Sequence, residues 1–262
     1  MRRNFALVLL GLLTFGLAGC GTKMGYYPDA DKYVAGNTEY PDVEVKTIDI
    51  DWLSGSVTLV EDESATEITI SEVTELTEKE ALVHSYCHNG ILSIKYFASG
   101  YWCRSFNYKK ELTITYRPGL NSLSVDLTSG SLKATTVHAT EFDLDLTSGS
   151  ANITDLVTEK ATTDLTSGNV SFAKVNATKF DMNMTSGSAN IGYESIEKSS
   201  LHLTSGKVDM ALPGEGGTVK ISKTSGSVKT NREGTFSNDT YKFGDGKAEI
   251  DASMTSGTIT IA

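Results

Sequence analysis

Enzyme signatures are missing from this sequence. It has no Gly-x-Ser-x-Gly elbow, no His-Glu-x-x-His pair, no phosphate loop and no dinucleotide fingerprint. Its four histidines are scattered and form no triad. Basic charge is short as well: 23 Lys and Arg face 33 Asp and Glu, a net charge of −10. Such a balance argues against nucleic acid as a partner and against simple attraction to anionic lipid. Cysteine is scarce, at positions 20, 87 and 103 only. No Cys and His grouping has zinc spacing; His84 and His88 flank Cys87, but strand alternation and a turn account for them. No cofactor is implied, and no enzyme is expected.

The only long apolar run lies at the start. Arg2 and Arg3 precede an apolar stretch from Phe5 to Ala18, too short to span a bilayer and suited to a signal-peptide core. It ends in Leu17-Ala18-Gly19-Cys20, which resembles a bacterial lipobox. That resemblance implies cleavage before Cys20, a diacylglycerol (palmitate-type) lipid on its thiol, and a mature chain anchored to a membrane outside the cytoplasm. Losing residues 1–19 removes two arginines and takes the charge from −10 to −12. Residues 20–44 are polar and aperiodic and read as the lipidated Cys with a flexible tether. Outside the cytoplasm, the remaining pair Cys87 and Cys103 is expected to form a disulfide. It would close a loop of about 17 residues and contribute on the order of 3 kcal/mol.

What the chain has in abundance is one triplet. Thr-Ser-Gly ends at Gly130, Gly149, Gly168, Gly187, Gly206, Gly226 and Gly257. The first four gaps are 19 residues, the next 20 and the last 31. A fixed period near 20 indicates a solenoid, one coil per repeat. Apolar residues stand five and three positions before the glycine, as in Leu144 and Leu146, and two and four after it, as in Val170 and Phe172. Both sets have period two, so the triplet is a corner between two strands. Serine and threonine hydroxyls are expected to satisfy backbone groups freed at that bend, or to stack coil upon coil. A further apolar set, Val137, Leu156 and Val175 with Phe142, Ala161 and Phe180, marks another short side. The expected fold is all-β: a single-stranded parallel β-helix, or solenoid, of about 19–20 residues per coil. About eight coils at 4.8 Å give a rod of roughly 40 Å. Residues 45–120 supply an early coil and an N-terminal cap of short strands, and 121–262 the Thr-Ser-Gly repeats. Asn231 to Gly246 is an insertion before an atypical last coil that shields the end of the core.

These features resemble the bacterial "putative adhesin" family, a domain of unknown function with a β-solenoid fold. The residues that carry the match are Ile48 to Val57, the ladder from Thr128 to Gly226, and Phe243-Gly244-Asp245-Gly246 leading to Thr255 to Ile261. The resemblance spans roughly 45–262 and brings no catalytic residues. It implies a binding role, and relatives linked to envelope stress make a sensor or regulator the alternative.

Two constellations are candidates for ligands. Tyr96, Tyr101, Trp102, Arg104, Phe106 and Tyr108 put aromatics beside cations within one short segment. That mixture suits a protein or glycan ligand, or it forms a hydrophobic lid over the solenoid end. Asp126, Asp145 and Asp164 repeat at coil spacing on an outward face, with Asp143 and Asp181 beside them, and are weak calcium candidates. Lys160, Lys179 and Lys198 on the same side are placed to neutralise them. Paired acids such as Asp143, Asp145 and Asp164 would also serve a carbohydrate-active β-helix enzyme, but coils this short leave few loops to build a cleft.

Overall fold

The computed structural model describes residues 22–23, 25–41, 45–103 and 108–262. Cys20, Arg104 and Phe106 lie outside the described residues. Among the described residues no helix is long and apolar enough to cross a membrane.

Alternating sequence becomes strand almost throughout. In one coil, residues 160–165 form a first side, 169–172 a second and 174–177 a third. Ala161, Thr163 and Leu165 turn inward on the first, Val170 and Phe172 on the second, Val175 and Ala177 on the third, and all are buried. This coil pairs in parallel with the ones before and after it, residue i beside i+19: Ser150 beside Asn169, Leu165 beside Met184. Identical register stacks like on like and builds one continuous core. Where a column changes size, a neighbour compensates. Phe180 lies between the small Ala161 and Ser199. Its ring meets Phe172 and Tyr193 edge-on at 5.5 and 5.9 Å. Tyr193 reaches across to Ser199, Oη to Oγ 2.8 Å, so the buried hydroxyls satisfy each other.

The corners need glycine for two separate reasons. The corner glycines have φ between +92° and +153°, where a Cβ is strained. From Gly130 onward, a Cβ would also fall 2.1–2.5 Å from the carbonyl oxygen of the neighbouring corner glycine. Backbone groups at the bend are satisfied by the adjacent coil rather than by the hydroxyls: Ser167 N donates to Thr147 O at 2.9 Å, and Ser186 N to Thr166 O at 3.0 Å. Of the two roles expected for the triplet's side chains, satisfying the bend therefore falls to the backbone instead.

The glycine ladder also gives the spatial order of the coils: Gly55, Gly130, Gly149, Gly168, Gly187, Gly206, Gly257, Gly226. The last two are reversed relative to the sequence. The coil of Ala248–Met254 and Thr258–Ile261 sits between the coil of residues 198–211 and the coil of Gly216–Lys223 and Ser227–Thr230. The last coil in sequence is therefore not the end of the rod, contrary to expectation. The N-terminus uses the same device. Thr47–Trp52 and Ser56–Glu61 lie between Leu120–Leu165 on one side and Ile91–Lys95 with Lys110–Tyr116 on the other. The coils of 47–61 and 248–261 are thus each paired on both edges.

Antiparallel strands close each end. At the N-terminal end Glu67–Thr74 and Thr38–Pro41 extend one sheet, and His84–His88 and Val34–Ala35 extend another. Residues 34–41, expected to be tether, are therefore part of the cap. Strands of two and four residues carry too little period to show in a sequence, but they cover edges that would otherwise stand open. At the other end, Thr240–Gly244 and Thr235–Ser237 pair antiparallel beyond Gly216–Lys223. A 3-10 turn, Lys79–Ala81, joins Glu67–Thr74 to His84–His88.

Candidate functional site

The side that follows each corner presents its outward residues one and three positions after the glycine. These are Ser150 and Asn152, Asn169 and Ser171, Ser188 and Asn190, Lys207 and Asp209. Because the register is strict, they form two columns of short polar side chains along the rod. Two hollows of about 420 and 490 Å³ lie over this side and share Lys133 and Asn152, so they form one open trough. Its floor is bonded across coils: Ser188 Oγ donates to Asn169 Oδ1 at 2.5 Å. At one end the trough reaches Glu61, whose side chain is almost fully buried. Glu61 Oε2 lies 2.7 Å from His138 Nδ1, and its other oxygen accepts the His138 amide. The hydroxyl of Tyr116, buried behind it, is held protonated by burial and by the charge of Glu61.

The first side carries the acidic column. Asp126 lies beside Asp51 and Asp164 beside Asn183 in the register. The column is bounded at both ends. Lys95 Nζ stands 3.6 Å from Asp49 and 3.7 Å from Asp51. Asn183 Nδ2 donates to Asp164 at 2.7 Å. Lys179 pairs with Asp181 rather than with the column itself. Among the described residues no three His, Cys, Asp or Glu side chains converge to hold a metal ion. Burial first, then the charges of Asp51 and Asp145, push the Asp126 carboxyl up to about 6. Asp145 is also raised, by desolvation and then by Asp164 and Asp143. The sign follows from linkage: a carboxyl with a raised folded-state pKa favours the fold below about pH 4, and that contribution is lost as pH rises through about 6. Asp126→Asn is therefore expected to raise the melting temperature at pH 7.5 and change little at pH 4. The face is partly open to water, which limits the gain to about 1 kcal/mol, or roughly 2–4 °C for a chain of this size. An equal shift at both pH values in thermal melts would refute the titration argument.

The aromatic segment divides between core and surface. Tyr96 and Phe97 are buried, with Tyr96 edge-on to Trp52 at 4.6 Å. Tyr101 is half-buried, donates to Glu78 Oε2 at 2.9 Å and is pushed up to about 12 by burial and that carboxylate. Tyr108 Oη lies 3.4 Å from Cys103 Sγ. Trp102 is half exposed.

The cation these rings enclose is Lys110, whose side chain is fully buried. Its Nζ lies 2.5 Å from Glu72 Oε1 and 2.7 Å from Ala81 O. The rings of Tyr96, Phe97 and Trp52 surround it at 4.7, 4.8 and 5.4 Å. Burial draws its pKa down, opposed by Glu72. Strand alternation carries the signal for this: Lys110 shares the inward face with Leu112, Ile114 and Tyr116. Sequence reasoning missed that pair, the Glu61–His138 contact and the trough.

Cys87 and Cys103 are not joined by a disulfide, which corrects the expectation. Cys87 sits beside Leu92, while Cys103 lies among the cap aromatics near Tyr96 and Tyr108. Leu92 and Tyr96 are four residues apart, about 13 Å along an extended chain. A disulfide needs Cα atoms within about 7 Å.

The coil architecture and its corner ladder match a known family, Toastrack DUF4097, over residues 45–262. The chain belongs to that family. Among solved structures, this Toastrack chain is similar to a "putative cell adhesion protein" from Clostridium sporogenes ATCC 15579. The two are 15% identical over 88% of this chain and 99% of that one, with a TM-score of 0.39. A "putative adhesin" from Parabacteroides distasonis ATCC 8503 is 12% identical over 86% and 96%, TM-score 0.45. A "putative lipid binding protein" from the same organism is 13% identical over 87% and 97%, TM-score 0.34. No curated protein matches the Toastrack chain.

Proposed function

We propose that this chain is a non-enzymatic binding module of the cell envelope, anchored through lipid on Cys20 and adhesin-like in role. The observation that carries the reading is the trough: a continuous, open, polar surface repeated along a rigid rod. Its Asn, Ser, Thr and Lys side chains offer donors and acceptors at one-coil intervals, about 4.8 Å apart. A protein or glycan chain laid along the rod would meet the same groups repeatedly, and weak contacts add through repetition. Short corners build no enclosed cleft around the acids of the first side, which supports binding over catalysis.

The test is binding of residues 21–262 to matrix proteins and glycans, and separately to envelope preparations from the producing cell. Filling the trough with Asn152→Arg and Asn190→Arg is expected to weaken binding at least tenfold, while Trp102→Ala leaves it unchanged. The reverse pattern would move the site to the aromatic cap and defeat the trough reading. Capture by foreign surfaces supports an adhesin, whereas capture only by the cell's own envelope supports a sensor or regulator.

A further inference from the structure

We propose that the N-terminal end of the rod docks on the membrane that carries the anchor, with Trp102 and Tyr26 in the headgroup–acyl boundary. This rests on the lipid anchor proposed above. Three observations place the surface. Among the described residues, five of the seven exposed large hydrophobics, Tyr26, Val34, Val73, Ile91 and Trp102, lie in the N-terminal cap. Trp102 is 50% exposed and Tyr26 76%.

The segment of residues 22–27 is bonded to the strand that bears Trp102 and to the residues just before it. Thr22 pairs antiparallel with Cys103 and Lys23 with Trp102. Gly100 N donates to Gly25 O at 3.3 Å, Tyr27 N to Ser99 Oγ at 3.0 Å, and Tyr27 Oη to Phe97 O at 3.0 Å. Tyr26 lies flat enough on Gly100 that a Cβ there would fall 2.7 Å from its ring.

The third observation is reach. Cys20 is two residues before Thr22, and two residues span at most about 7 Å. Thr22 itself stands one strand spacing, about 5 Å, from the Trp102 strand, so the Cys20 backbone is held within about 12 Å of that strand and leaves little slack to hold the cap away from the surface. Tyr and Trp suit that depth, since each has an apolar ring and a polar edge. Net negative charge would turn a loosely tethered domain outward, so aromatic contact at the one end fixed beside the lipid sets the orientation. The trough then runs away from the membrane.

The chain has two tryptophans, and Trp52 is fully buried, so fluorescence separates them. The full-length lipoprotein is placed in phosphatidylcholine–phosphatidylglycerol vesicles with brominated acyl chains. Emission lost on bromination is expected to vanish in Trp102→Phe, and acrylamide quenching of Trp102 to fall several-fold on vesicles compared with the Cys20→Ser protein in solution. Mass spectrometry of Cys20 and vesicle flotation are read in parallel. Acylated, floating protein whose Trp102 stays open to acrylamide and blind to bromine overturns the docking alone. A Cys20 without lipid overturns the anchor and the docking together.

Discussion

Gly168→Ala is expected to lower the melting temperature by roughly 10 °C, several times the loss from Gly119→Ala. Both glycines have positive φ, +143° at Gly168 and +97° at Gly119. They differ in surroundings. A Cβ on Gly168 would stand 2.4 Å from Gly149 O and 3.0 Å from Gly149 N, whereas a Cβ on Gly119 has nothing within 4 Å. Gly119→Ala therefore reports backbone strain alone, about 1 kcal/mol or somewhat more. Gly168→Ala adds a clash against main chain, which cannot rotate aside, and the coil spacing must open locally. Strain and overpacking together come to about 3–5 kcal/mol. Equal losses in the two variants, read by circular dichroism melts, would show that conformation alone demands glycine at the corners.

Lys110→Met is expected to cost about 3–5 kcal/mol, because it strips the counter-charge from a buried carboxylate. The Glu72 side chain is 2% exposed, and its other oxygen accepts the Val83 amide at 2.9 Å. Removing both charges in Lys110→Met/Glu72→Gln should cost less than the single change, since a glutamine carbonyl can still accept from Val83. Urea denaturation of the wild type and three variants closes the cycle. Additive losses would mean that the ion pair contributes nothing beyond the packing of each side chain.

The solenoid and its corners were legible because a local period dictates them. Val170, Phe172 and Leu165 announce their faces without knowledge of the rest of the chain. The order of the coils was not legible, for the same reason: every coil offers similar columns, so Lys198–Leu203 can pair with Glu249–Met254 as readily as with the next segment along. Repetition fixes the coil and leaves the neighbour open. The cap was hidden differently. Its aromatics read in the sequence as a ligand surface or as a lid over the solenoid end, and most of them satisfy one another inside, as a lid would. Proximity in sequence placed a cation among rings without revealing that the strand turned it inward. The trough was invisible as a site because Ser, Thr and Asn on a strand's outer face are what any solvated sheet displays; only the stacking makes them a surface.

The interleaved coils at the carboxyl end have a consequence for biogenesis. From Leu120 to Ala211 the coils stack in the order in which they are made. Residues 216–230 then emerge with no parallel neighbour, because the coil they rest on, 248–261, is still to come. That end of the module therefore closes only once residues 248–261 are made, and a chain cut before them loses two coils instead of one. Such a truncated chain leaves an unpaired strand edge on 198–203 and another on 217–223, each open to further pairing.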